Sequence, residues 1–222
     1  MKNRFIFDLD GTILDSDFSN EIKYFKNILQ DQDYNTFIPK IPKLLEKYES
    51  TFKRYDTEDL KSFLNNETGL NFTSSMLNSW YESLIPDNYK EVEGIKDVLE
   101  YLKAKNKSIV VLSNWFTFTQ KERLKEADLL KYFDEVYGGD IYLKPRKEAF
   151  SLACGIYHKE DCLMIGDNLE IDILGANMNG IDALFYNPNN IDISNKMIKN
   201  TKDIKKIKVK SINNMNKIKE MF

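Results

Sequence analysis

Short apolar runs in the chain stop abruptly on polar residues. Phe5-Ile6-Phe7 stops at Asp8, Ile109 to Leu112 at Ser113-Asn114, and Leu163 to Ile165 at Gly166-Asp167. Together with "EVYGG" (135–139) and "DALFYN" (182–187), these runs predict buried strands. Helical spacing fills the gaps between them. "EGIKDVLEYLKAK" (93–105) predicts one helix, and "LEIDILGANMNG" (169–180) predicts another, closed by Gly180. A helix is expected over 119–130, with Thr119 and Glu122 as a capping box, and another from Pro145 to about Gly155. Strands separated by helices of this length imply βαβ units and a parallel sheet.

Residues 15–89 have a different texture. Lys, Asn, Tyr and Phe recur at helical spacing, as in "NEIKYFKNILQ" and "IPKLLEKYESTFKRY", and no convincing strand appears. Four or five helices are expected there. The predicted fold class is therefore α/β. A Rossmann-like parallel sheet flanked by helices is formed by residues 1–14 and 90–222, and an all-helical domain is inserted at 15–89. The tail from Lys196 is rich in lysine, with nine against Asp203 and Glu220. Ile207 and Val209 alternate with lysines as on a blunted edge strand, and Ile212, Met215, Ile218 and Phe222 form a helical stripe. A last strand and helix, solvated on one face, account for that tail without nucleic acid.

Composition narrows the chemistry. The 222 residues carry a net charge of −3, which gives no global attraction to nucleic acid or to a membrane surface. No apolar stretch is long enough for a membrane span, and the run after Lys2 and Arg4 ends too soon for a signal peptide. Cys154 and Cys162 lack the spacing of a disulfide framework or zinc site and read as reduced, buried thiols, so a cytoplasmic location is expected. The single histidine, His158, reads as surface and excludes multi-histidine metal sites. A monomer is expected.

The chemistry gathers at strand ends, where open parallel sheets bind ligands. Asp8 and Asp10 share a side by strand alternation, and two carboxylates on one side call for a hard cation such as Mg2+. Ser113 and Asn114 offer a hydroxyl and an amide to an anion. Lys144 precedes Pro145 and a helix, a setting suited to phosphate. Asp167 ends a second apolar strand, with Asn168 next to it and Asp172 five residues on. Each feature alone has an ordinary explanation: a cap, a turn or a surface lysine.

Taken in order, "DLDGT", "LSN", Lys144-Pro145 and "GDNLEID" resemble the four motifs of the haloacid dehalogenase-like hydrolase superfamily, over about residues 3–14 and 92–190. The helical insert sits where one subclass carries its cap. The resemblance implies a phosphatase acting on a small phosphorylated metabolite. Asp8 would be the nucleophile and Asp10 the acid–base. Mg2+ would be held by Asp8, Asp167 and the Asp10 carbonyl, with Asn168 and Asp172 behind it. Ser113, Asn114 and Lys144 would bind phosphate. Relatives often carry an acidic residue where Arg146 stands, and a solvated first-turn arginine is expected there. Aromatics such as Phe18, Tyr24, Phe25 and Phe37 are expected in the insert's core. A phosphosugar mutase is the rival reading, ahead of a 2-haloacid dehalogenase, a phosphonatase or a non-catalytic binding protein. Asp10 argues against the dehalogenase and the phosphonatase, because neither needs a second acid.

Overall fold

A computed structural model describes residues 1–15, 19–85, 90–192 and 209–222. Its centre is a six-stranded sheet: β1 (Arg4–Phe7), β2 (Ser108–Leu112), β3 (Glu135–Tyr137), β4 (Cys162–Gly166), β5 (Asp182–Tyr186) and β6 (Lys210–Ile212). The strand order is β3-β2-β1-β4-β5-β6, and all pairings are parallel. The chain reverses its direction of growth across β1, so the carboxyl ends of β1, β2 and β4 surround the crevice where such sheets take ligands.

The apolar runs become strands because both faces are covered. Odd and even positions of β1 serve different cores. Phe5 and Phe7 join Ile109, Val111, Leu163, Ile165 and Leu184 under α6 (Ile95–Ala104) and α10 (Lys217–Met221). Ile6 joins Val110, Leu112, Met164 and Phe185 under α8 (Lys147–Cys154) and α9 (Gly175–Met178).

Among its described residues the insert forms five α-helices: α1 (Ser19–Ile28), α2 (Asp31–Phe37), α3 (Ile41–Thr51), α4 (Thr57–Thr68) and α5 (Ser74–Ser83). They build a third, aromatic cluster, where the Phe25 ring meets Phe37 at 4.9 Å and Trp80 at 5.0 Å. Phe25 and Phe37 are buried, as the helical pattern predicted, and Tyr24 is partly buried. Phe18 lies outside the described residues. The chain leaves and re-enters the sheet through adjacent antiparallel segments. Leu14 bridges Glu91, and Asp15 N donates to Lys90 O at 2.8 Å.

Some local expectations are corrected. α7 spans Thr117–Glu126, with Phe116 at its N-cap, so Thr119 and Glu122 form no capping box. Asp140 caps the helix from a distant loop instead, accepting from Thr117 N at 2.7 Å and from its hydroxyl at 2.6 Å. The segment 169–180 begins with a π-helical turn (Leu169–Leu174) before α9. Gly180 follows at φ +78°. Among the described residues of the tail, Ile212 sits in β6 and Lys217–Met221 alone is helical, although Ile212, Met215 and Ile218 are all buried. Ile207 lies outside the described residues. Both cysteines are buried and unpaired, and His158 is exposed. Among the described residues no helix is long and apolar enough to cross a membrane.

The aromatic cluster carries a direct test. Phe25→Ala removes a ring buried against Phe37, Phe72 and Trp80 and is expected to cost about 3–5 kcal/mol in urea unfolding. A variant as stable as the parent would contradict this packing.

Candidate active site at the strand ends

Strand β1 ends at Phe7, and Asp8 N still donates to Ile165 O of β4 at 2.9 Å, which fixes the Asp8 side chain above the sheet. Lys144 faces it from the loop between β3 and α8. The ammonium is buried and donates to Asp8 Oδ1 and Asp172 Oδ1, both at 2.6 Å. Asp172 projects from the π-helical turn after β4, fully buried, and accepts from Asn168 N at 3.1 Å. Asp167, at the end of β4, completes a group of three carboxylates. Asp8, Asp167 and Asp172 each offer an oxygen within 4.8 Å of the others.

Two glycines let the acids come this close. A β-carbon on Gly11 would lie 2.2 Å from Asp167 Oδ2, and one on Gly166 would lie 2.2 Å from Asp172 Oδ2. Gly11 also takes φ +73°, which the sharp exit after Asp10 requires.

The electrostatics leave the cluster short of positive charge. Burial is the main cause that drives the Asp8 carboxyl well above the usual range, opposed by Lys144 and reinforced by Asp172 and Asp167. Solvent reaches Asp167, yet the surrounding walls and then the Asp172 charge push its carboxyl up to about 6. The Lys144 ammonium is held above its ordinary value by both aspartates, which outweigh its burial. Three oxygen donors crowded around one lysine fit a hard divalent cation better than a soft metal.

Asp10 belongs to the same cavity but not to that cluster. It turns to α7, where Arg123 Nη2 meets Oδ1 at 2.5 Å and Nη1 meets Oδ2 at 3.1 Å. Gln120 Nε2 approaches Asp10 Oδ2 at 3.3 Å and donates to Ser113 Oγ at 2.6 Å. Alternation thus brings Asp8 and Asp10 to one cavity, while their carboxylates face different partners. Arg123 and Gln120 escaped the sequence reading. The only hint was a polar pair three residues apart in the helix after "LSN".

Asn114 is placed differently from its expected role. Its amide oxygen accepts from Lys144 N at 2.7 Å, and Nδ2 donates to Lys144 O and Glu49 Oε2, both at 3.0 Å. With both amide protons engaged inside the protein, Asn114 braces the Lys144 backbone instead of donating to an anion. The Lys144-Pro145 peptide is cis. Asn168 is a local cap, its Oδ1 accepting from Glu170 N and Ile171 N at 3.0 Å each.

Arg146 is not a solvated first-turn side chain. Its Nη2 donates to Phe52 O at 2.7 Å, at the C-terminal end of α3. Further ties run from Tyr55 N to Gly139 O at 2.8 Å and from Leu143 N to Lys53 O at 3.1 Å. The helical insert is therefore closed down on the sheet. Glu49 of α3 reaches the cavity, held by Tyr55 OH at 2.8 Å as well as by Asn114.

The parallel sheet thus presents a carboxylate–lysine–carboxylate bridge and a second acid at its switch point, under a closed helical insert. The chain belongs to the haloacid dehalogenase-like hydrolase family, whose model matches residues 3–180. It is 27% identical over 201 residues to the pyrimidine 5'-nucleotidase PynA of Streptococcus pneumoniae, with 84% of each chain covered. The magnesium-bound structure of the HAD-hydrolase YfnB from Bacillus subtilis shares the fold (TM-score 0.71, 20% identity, 99% and 98% of the chains covered). So does L-2-haloacid dehalogenase from Xanthobacter autotrophicus (TM-score 0.71, 15% identity, 100% and 98% covered). The same fold thus spans different chemistries, and side chains must choose between them.

Two outcomes follow from the buried charges. Lys144→Met would leave Asp8 and Asp172 buried without their cation. It should cost about 3–5 kcal/mol in urea unfolding with chelator present, and unchanged stability would refute the bridge. Away from the cluster, burial raises Glu21 of α1 from 4.5 to about 7, despite its hydrogen bond from Trp80 Nε1. The folded protein keeps that proton to higher pH than the unfolded chain, so Glu21 makes stability fall as pH rises from about 4.5 to about 7. Stability measured for the parent minus that for Glu21→Gln should decline across this window. A flat difference would refute the shift.

Proposed function

We propose that the protein is a Mg2+-dependent phosphatase that hydrolyses a small phosphomonoester through an aspartyl-phosphate on Asp8. The observation that carries this reading is the Lys144 ammonium shared by Asp8 and Asp172 beside Asp167, with Asp10 in the same cavity. The phosphatase name of the pneumococcal relative's class of enzyme, a 5'-nucleotidase, agrees with it.

Asp8 attacks phosphorus, and the bond to the leaving oxygen breaks as Asp10 supplies that oxygen with a proton. Water then attacks the same phosphorus, Asp10 takes its proton, and the Asp8–phosphorus bond breaks to release phosphate. Arg123 orients Asp10 for both transfers. Lys144 and the Ser113 hydroxyl neutralise and hold phosphoryl oxygens, and Asn114 fixes the Lys144 backbone. Mg2+, held by Asp8, Asp167 and the Asp10 carbonyl with Asp172 and Asn168 behind them, would supply the positive charge that lets a carboxylate approach an anion. The helical insert acts as a cap that excludes water and receives the leaving group.

The second acid supports this reading over a dehalogenase. A carbon–halogen bond needs no proton on its leaving group, so an Asp10 fixed by Arg123 and Gln120 would have no task.

With p-nitrophenyl phosphate and Mg2+, the protein should release phosphate, Asp8→Asn should abolish release, and Asp10→Asn should lower kcat by about 10²–10⁴-fold. No metal-dependent release from a broad panel of phosphoesters would refute the phosphatase. Isomerisation of a sugar phosphate without net phosphate release would identify a mutase instead.

A further inference from the structure

Two buried polar side chains of α7 meet the site. Arg123 holds Asp10, and Gln120 stands three residues before it on the same helix face, fully buried. Burying a primary amide is costly unless its hydrogen-bonding groups are met. Here they are met in one sense only. Gln120 Oε1 accepts from Arg123 Nη1 at 2.8 Å, so Nε2 faces the other way. That nitrogen has two protons. One goes to Ser113 Oγ at 2.6 Å and the other points toward Asp10 Oδ2 at 3.3 Å. A flipped amide would set its oxygen against the Asp10 carboxylate and its N–H groups against the guanidinium.

Ser113 is the receiving end. Its N–H donates to Tyr137 O at 3.0 Å, which holds its backbone just past the end of β2. The residue lines the polar cavity together with Asp8, Lys144 and Asp167. A serine hydroxyl can accept or donate, and its proton rotates to suit. Here the Gln120 N–H already occupies the oxygen as acceptor. What remains is the Ser113 proton, and no group among the described residues accepts it. A hydroxyl that accepts a hydrogen bond is also polarised into a better donor.

We propose that Gln120 is a positioning residue that sets the Ser113 hydroxyl as a one-way donor to a phosphoryl oxygen, with Arg123 fixing the sense of the amide. Gln120 does not touch the substrate. It acts through Ser113, and it ties that hydroxyl to the same helix turn that holds Asp10. The proposal rests on the phosphatase reading and deepens it by assigning what aims the anion-binding hydroxyl.

The test reads inhibition by inorganic phosphate during p-nitrophenyl phosphate hydrolysis with Mg2+, in the parent, Gln120→Met, Ser113→Ala and the double variant. Methionine nearly keeps the volume and removes the N–H donors. Gln120→Met should raise the phosphate inhibition constant by about three- to tenfold. In the Ser113→Ala background the same substitution should change it by less than about twofold, because the group it acts through is gone. Gln120→Asn, an amide one methylene short of Ser113, should behave like Gln120→Met and serves if that variant does not fold. An inhibition constant unmoved in the Gln120 variants, or an effect undiminished by Ser113→Ala, would overturn the proposal and leave the phosphatase standing. So would a loss confined to kcat for phenyl phosphate, whose leaving oxygen needs the Asp10 proton more than p-nitrophenolate does, since the amide would then serve Asp10 alone. No hydrolysis of any phosphoester by the parent would overturn both.

Discussion

The arrangement of the whole site depends on one buried ammonium. Lys144 stands between Asp8 and Asp172 at 2.6 Å from each, and it is what allows those acids to share a dry space. Buried carboxylates without such a partner take up protons instead of staying charged. Lys144 cannot wander to a better-hydrated position, because the Asn114 side chain grips both its N–H and its carbonyl. Two residues later Arg146 holds the end of α3, and one residue earlier Leu143 N binds Lys53 O. A single loop thus sets the charge balance at the strand ends and the seating of the helices above them. Opening the insert would disturb these ties and Glu49's grip on Asn114, so closure and preparation of the lysine are mechanically linked.

The two acids of "DLD" divide their work because the chain bends between them. Asp8 leaves the strand in register with β4 and faces Lys144. Past Leu9, which is buried, the turn at Gly11 swings the Asp10 carboxylate toward α7. One acid is thereby surrounded by other acids and a lysine, the other by an arginine and an amide. Two identical side chains thereby meet distinct surroundings in one cavity, the physical condition under which their reactivities diverge.

The centre of the sheet was legible in the sequence because β1, β2 and β4 are buried on both faces and so read as largely apolar runs. The acids were legible because they interrupt those runs. Asp8, Asp10, Lys144, Asp167 and Asp172 do converge at the strand ends, from three separate stretches. What escaped is whatever depends on long-range partners. Thr119 and Glu122 have the spacing of a capping box, yet Asp140, over twenty residues from Thr117, supplies the cap. Arg146 looks like a solvated first-turn residue until Phe52 O is placed beside it. Arg123 and Gln120 sit in a helix whose charged surface hides the one buried face that matters. Sequence periodicity reports burial, and it carries no record of which distant atom a buried polar group will meet.

Glu49 shows why the insert cannot be a passive cover. It is a carboxylate of α3 that lines two cavities, tied to Tyr55 within the insert and to Asn114 on the sheet side. Burial raises its carboxyl, while the two donors and the nearby Lys144 charge oppose that rise. Glu49 stands between a polar space around Asp8, Lys144 and Asp167 and a mainly apolar one walled by Ile22, Ile38 and Leu45. The insert thus reaches into the site with a charged side chain of its own, and its closed position is tied to the same loop that carries Lys144.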